Sequence, residues 1–226
     1  MRVDGRRCRL LVALAVLAVL ARGGLGCATI APELVEERLF GVMEAAAARL
    51  AVLPFYPSAN LSRSVRPGGL QAWEATALVT RFVSEAVAQR RVTVIPESDV
   101  ELAFASEGQV TPRLDPTSAA RLAADRFGAT GVLLGVVNRY REREGSAFAS
   151  QSTASAEFVV TLYDAPAGRR IWTGRFNQTQ PDLSRNLFTA TRYPGGGTRF
   201  LTVAELARWG AQLIAERLPI GSAPPR

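Results

Sequence analysis

The chain has 226 residues, with 27 basic against 20 acidic side chains and a formal charge of +7. Every basic residue is arginine, for the sequence contains neither lysine nor histidine. That excludes Ser-His-Asp and Cys-His nucleophiles, Schiff-base lysines and the P-loop lysine, since a guanidinium keeps its proton in a protein.

The first elements lie in the leader. Arg2, Arg6, Arg7 and Arg9 precede an unbroken apolar run, Leu10 to Ala21, and Arg22, Gly23, Gly24, Leu25, Gly26 and Cys27 follow. A basic stretch, a short apolar stretch and small residues describe a secretory signal. Twelve apolar residues fall short of the roughly 20 that a spanning helix needs. Cys8 lies within this signal, so Cys27 is the one cysteine expected in the mature chain. Leu25-Gly26-Cys27 resembles the lipobox of bacterial lipoproteins, although the leucine sits two rather than three residues before the cysteine. The resemblance implies cleavage before Cys27, acylation of its sulfur with palmitate-type chains, and anchoring in a membrane. Ala28, rather than Asp, follows the cysteine, which in that family points to the outer membrane. The alternative is a secreted protein with an incidental buried cysteine.

Removing residues 1–26 takes away five arginines and Asp4, so the balance falls to 22 − 19 = +3. The remaining arginines are scattered among acids, and no concentrated basic face for nucleic acid is expected. With one cysteine left, no internal disulfide can form, and the fold rests on its core.

Downstream, Pro32 opens an expected helix in which Leu34, Val35, Leu39 and Met43 recur at helical spacing through Glu44. Arg49–Phe55 reads as a buried strand stopped by Pro54 and Pro57. Residues 58–69 read as a loop. Gln71–Arg90 returns to helix, Arg91–Ile95 is a short β-branched strand, and Ser98–Ala105 a two-turn helix. Asp115-Pro116 starts a helix that Gly128 ends. Gly131–Tyr140 is apolar on both faces, as in a central strand, and then alternates through Glu144 toward solvent. Residues 145–155 read as a loop or hairpin tip. Glu157–Asp164 and Arg170–Phe176 are strands joined by a turn at Ala165-Pro166-Ala167-Gly168, with Phe158, Val160 and Leu162 on one side. Residues 177–201 are irregular. Thr202 and Glu205 form a capping box before a last helix carrying Leu206, Trp209, Leu213 and Ile214.

The expected fold is α/β (α+β): a mixed sheet in the order β-α-β-α-β-β-β-α, with helices packed on it, in one domain. Residues 1–26 are the signal, 27–48 the lipidated cysteine, tether and leading helix, 49–218 the domain, and 219–226 a disordered tail.

Leu53-Pro54-Phe55, then Gly128, Ala129, Gly131 and Val132, then Leu162, Tyr163, Asp164, Gly168, Arg169 and Trp172 come in an order that resembles one group of envelope proteins. It is the periplasmic α/β domain of the Tol-system translocation protein amino terminus and of the curli-secretion, polysaccharide-export and penicillin-binding-protein-activator lipoproteins. The resemblance covers roughly residues 49–217. It implies a non-enzymatic protein that docks partners in the envelope, some relatives forming rings.

Other candidate sites are weaker. Gly195–Gly197 lacks the Lys-Ser/Thr of a phosphate loop. Glu97, Asp99 and Glu101, with Glu142 and Glu144, offer carboxylates that could in principle cut glycosidic bonds; stabilising a helix start or a strand edge is the plainer role. Asp164 is expected to serve its turn. Arg63 and Arg66 could touch a partner or anionic headgroups. Trp73, Trp172 and Trp209 are expected in the core. Asn60-Leu61-Ser62 and Asn177-Gln178-Thr179 match glycosylation acceptors, discounted because the leader reads as bacterial.

The sequence thus predicts an outer-membrane lipoprotein facing the periplasm, anchored at Cys27, without cofactor or metal. Its partners are the bilayer, other envelope proteins and a possible second copy of itself. A ring-forming export or secretion subunit is the first alternative, and a lipid-anchored glycan hydrolase the second.

Overall fold

A computed structural model describes residues 34–41, 43, 49–64, 72–106, 115–147, 150–181, 193–194 and 199–220. Cys27, Arg66, Gly195–Gly197 and the tail from 221 lie outside the described residues, as does the side chain of Arg63.

In chain order the elements are strands β1 (Val35–Leu39), β2 (Arg49–Val52) and β3 (Tyr56–Pro57), then helices α1 (Ala59–Ser64) and α2 (Ala72–Ala88). Strand β4 (Thr93–Ile95) and helices α3 (Glu97–Ser106) and α4 (Pro116–Phe127) follow. The rest is β5 (Gly131–Arg141), β6 (Glu144–Gly145), β7 (Ser150–Ser152), β8 (Ser155–Asp164), β9 (Arg169–Thr179) and helix α5 (Val203–Arg217).

The main sheet runs β1-β9-β8-β5-β2-β4, with β3 also pairing β5. β5 pairs in parallel with β2 and β3, and β2 in parallel with β4. The β5-β8, β8-β9 and β9-β1 pairs are antiparallel. The sheet is therefore mixed: βαβ units build one half, and a meander builds the other.

Strand alternation sorts the core into two layers. Leu50, Val52, Leu133, Val137, Phe158, Val160, Leu162, Trp172 and Phe176 pack with α2 and α5. The intervening Ala51 and Val132 point the other way, against Val100 and Phe104 of α3 and Ala119, Ala120 and Ala123 of α4. Between β2 and β3 the chain bulges at 53–55: Leu53 N–H still donates to Leu133 O at 3.0 Å, while Phe55 N–H turns to the buried Thr80 Oγ1 at 2.9 Å. The bulge lays the Phe55 ring on Gly135, where a Cβ would come within 2.3 Å of the ring. Gly135 is therefore required by a close approach rather than by its dihedral angles.

Local chemistry fixes the ends. Asp115 accepts from Ser118 N–H at 3.0 Å, Pro116 opens α4, and Gly128 at φ 60° closes it. In the β8-β9 turn Ala167 N–H donates to Asp164 Oδ1 at 3.1 Å, and Gly168 takes φ 66°. Buried Gln180 is held from three sides: its backbone N–H donates to Ala154 O, its side-chain amide donates to Arg199 O, and Leu201 N–H donates to its Oε1. Gln180 thus clamps the segment that leads into α5.

At the start of α5 the capping box is complete, and Arg199 adds a two-pronged ion pair to Glu205 at 2.5 and 2.9 Å. Arg199 first, then the Thr202 hydrogen bonds, hold the Glu205 carboxyl at about 2 against a burial that pushes it up. A carboxyl depressed in the fold contributes stability above its ordinary value of 4.5, and that stability is lost as pH falls from there toward 2. The expected result is a thermal midpoint that drops over that range, with a shallower acid limb for Glu205→Gln; parallel melting curves against pH check it.

Two elements differ from the sequence expectation. Where the sequence predicts a leading helix, the described residues Val35–Leu39 form a strand at the sheet edge, in register with Phe176 to Trp172. The 58–69 loop contains the six-residue helix α1, pinned by buried Leu61. In addition, Ile220 is buried beyond the expected domain end at 218, and its carbonyl accepts from Arg90.

Candidate functional site

Among the described residues, the carboxylates and tryptophans singled out in the sequence do not converge. Glu97 and Asp99 occupy the first turn of α3, as helix-start acids do. Burial, then the neighbouring Glu101, raises the Glu97 carboxyl above its usual value. Glu142 lies past the end of β5 and accepts from Val203 N–H at 3.2 Å, which makes it part of the α5 start; Glu144 is exposed in β6. Asp164 serves its turn as expected. Trp172 is buried, and Trp209 packs against the core with its ring edge-on to Phe176 at 5.9 Å. Trp73 departs from expectation: it is 55% exposed in the first turn of α2.

The arrangement that does form was not anticipated. A bulge at Asn138 shifts β5 so that Val137 faces Phe158 and Arg139 faces Glu157. Without the extra residue, Arg139 would turn into the layer under α2 and α5. Next on β8 and β9, Glu157 faces Asn177, and Val159 faces Arg175; Arg175 in turn faces Glu36 of β1. Four strands therefore bring a line of alternating charge onto one face.

Arg139 Nη1 donates to Glu157 Oε2 at 3.1 Å and Nη2 to Asn177 Oδ1 at 2.5 Å. Arg175 donates to Glu157 Oε1 from Nη2 at 2.7 Å and from Nε at 3.2 Å. Its Nη1 reaches Glu36 Oε2 at 3.4 Å. Glu157, with its side chain 13% exposed, is the hub; Glu36 is the open end. Burial lowers the Arg139 guanidinium, and its Nε is buried without a hydrogen-bond partner. Arg175 is raised, first by its hydrogen bonds to Glu157.

The cluster completed by α3 and α4 reaches only to Leu134 and Tyr163 on this side of the sheet. Beyond it lie Glu157, Arg175, Glu36 and the β1 edge, where Leu39 and Phe40 are 62% and 48% exposed. Arg170 stacks on the Phe40 ring at 3.9 Å. The β1 edge beside this polar sheet face pairs with no described strand on its outer side. No described helix is long and apolar enough to cross a membrane.

No family profile matches the chain, and no curated protein sequence matches it. Among solved structures it is similar to PelC from Paraburkholderia phytofirmans, described as a dodecamer. The identity there is 12%, over 82% of this chain and 96% of that one, with a TM-score of 0.46. It is also similar to lipoprotein GNA1162 from Neisseria meningitidis, at 19% identity over 58% and 80% of the two chains and a TM-score of 0.38. The LpoB C-terminal domain from Salmonella enterica matches at 19% identity, over 61% of this chain and 87% of that one, with a TM-score of 0.37. The likeness is distant in all three, and none of the three is a Tol-system or curli-secretion protein.

Proposed function

We propose that the protein is an envelope lipoprotein, held at the membrane through Cys27, whose α/β domain docks other envelope proteins without catalysing a reaction. One observation supports the reading: a basic stretch and an apolar run of secretory type lead directly into Cys27, the last cysteine of the sequence, and the first described strand starts eight residues later at Val35. Eight residues reach at most about 28 Å even at full extension, so a domain anchored at Cys27 stays near the bilayer. More than one acyl chain on Cys27 gives anchoring that a single chain cannot sustain.

The docking role draws on the charge line that crosses the sheet face from Glu36 to Arg139. Charges of both signs on a sheet face favour one matching partner over many. Cys27→Ser supplies the test. The full chain, expressed in a diderm bacterium, is expected in the membrane fraction and labelled by a fatty-acid probe. The variant is expected to lose the label and move to the soluble fraction. A membrane-bound, unlabelled wild type would overturn the anchor.

A further inference from the structure

Strand β1 ends the sheet, and its outer side pairs with no described strand. Phe40 N–H donates to Ile171 O at 2.7 Å, which sets the alternation along β1. Glu36 and Arg38 turn their backbone groups to β9, and Val35, Glu37 and Leu39 turn theirs outward. The side chains alternate as well: Glu36 sits on the charged face, whereas Glu37 points to the helix side, bonded to Trp172 Nε1 at 3.1 Å and Arg217 Nη1 at 3.2 Å. Arg38 is exposed and has no ion pair among the described residues.

We propose that the β1 edge pairs with β1 of a second copy, antiparallel and centred on Glu37, to give a two-fold dimer. The sequence Val-Glu-Glu-Arg-Leu is complementary to itself in this register alone. Centring on Glu37 sets Glu36 opposite Arg38 of the second copy, twice, and sets Val35 opposite Leu39. Centring on Glu36 or on Arg38 forfeits both Glu36–Arg38 pairs. The Glu37 centre also sets the outward-facing backbone groups of Val35, Glu37 and Leu39 against those of the second copy, as hydrogen-bonded pairs require. The two Glu37 side chains meet there, but each is already held toward its own α5 by Arg217.

Edge charges oppose pairing with an arbitrary strand and thereby select one whose charges mirror them. Leu39 and Phe40, two of the four large apolar side chains that stand exposed among the described residues, lie at this edge, where a second copy covers them. A two-fold contact closes on itself, so the product is a dimer rather than a fibre. The inference goes beyond the anchoring reading and stands without it, because the edge belongs to the domain.

The test is native mass spectrometry of the full-length chain extracted in mild detergent. The wild type is expected as a dimer. Arg38→Glu sets carboxylates opposite Glu36 at both ends and weakens the dimer by about tenfold or more. The exchange Glu36→Arg with Arg38→Glu restores pairing. Leu39→Pro removes an outward N–H while leaving the bonds to β9, and is expected to give monomer with an unchanged circular dichroism spectrum. A wild-type monomer, or an assembly indifferent to both Arg38→Glu and Leu39→Pro, overturns the proposal. The same spectra read acyl mass on each chain, so a failed dimer and a failed anchor are seen separately.

Discussion

Replacing Trp172 by alanine is expected to lower the unfolding free energy by about 3–5 kcal/mol, the range for truncating a large buried aromatic side chain. The indole is 1% exposed, the largest of the fully buried side chains described. It lies across Gly174, where a Cβ would come within 2.2 Å of the ring and 2.9 Å of Ile214, so the sheet and α5 are in contact around it. Its Nε1–H donates to Glu37 Oε2 at 3.1 Å, which ties the edge strand to the core. Truncation leaves a cavity between sheet and helix and strips Glu37 of one of its two donors. Trp172→Phe keeps most of the volume, loses the hydrogen bond, and is expected to cost less. Urea unfolding of both variants checks this, and a loss below about 1 kcal/mol for Trp172→Ala would contradict the packing described.

Neutralising the hub of the charge line is expected to cost about 2–3 kcal/mol, in the range for hydrogen bonds to charged groups left without their partner. In Glu157→Gln, two guanidiniums face each other across an amide that can accept from only one side. Arg139 suffers more than Arg175, being more buried and already carrying one orphan N–H. Glu36 still offers Arg175 a second carboxylate at 3.4 Å, but on an exposed side chain where the pair is worth little. The double variant Glu157→Leu with Arg139→Leu removes both members together and is expected to recover much of the loss. If the single variant is as stable as the wild type, the line is a solvated surface and not a connected network.

Much of the fold was legible because its signals are local. The Asp-Pro start and Gly stop of α4, the capping box of α5 and the turn after Asp164 each act within a few residues, and all stand where the sequence places them. The alternation Phe158, Val160, Leu162 gives the buried face of β8 correctly. β1 was not legible. Leu34, Val35 and Leu39 fit a helical period, and five residues are too few for a strand period to compete when one edge of the strand is open. What makes β1 a strand is its pairing with β9, some 135 residues away in sequence. Trp73 misled for a related reason: its bulk suggests core, but the buried stripe of α2 begins only at Ala75.

The charge line lay beyond the sequence altogether. Arg139, Glu157 and Arg175 are spaced by 18 residues each, a distance with no local meaning. Their meeting depends on the unpaired residue at Asn138 and on the β8-β9 register, and Glu36 joins only once β1 is a strand. The proposed anchor is the reverse case, for the residues that suggest it all lie at the start of the sequence.

The central claim is that this fold is carried at a membrane on Cys27. Its most direct test is the intact mass of the mature protein purified from the membrane of a diderm host. The account predicts a chain of 226 − 26 = 200 residues beginning at Cys27, heavier than its sequence by its acyl chains. A chain cut at another residue, or one that begins at Cys27 without added mass, would contradict it.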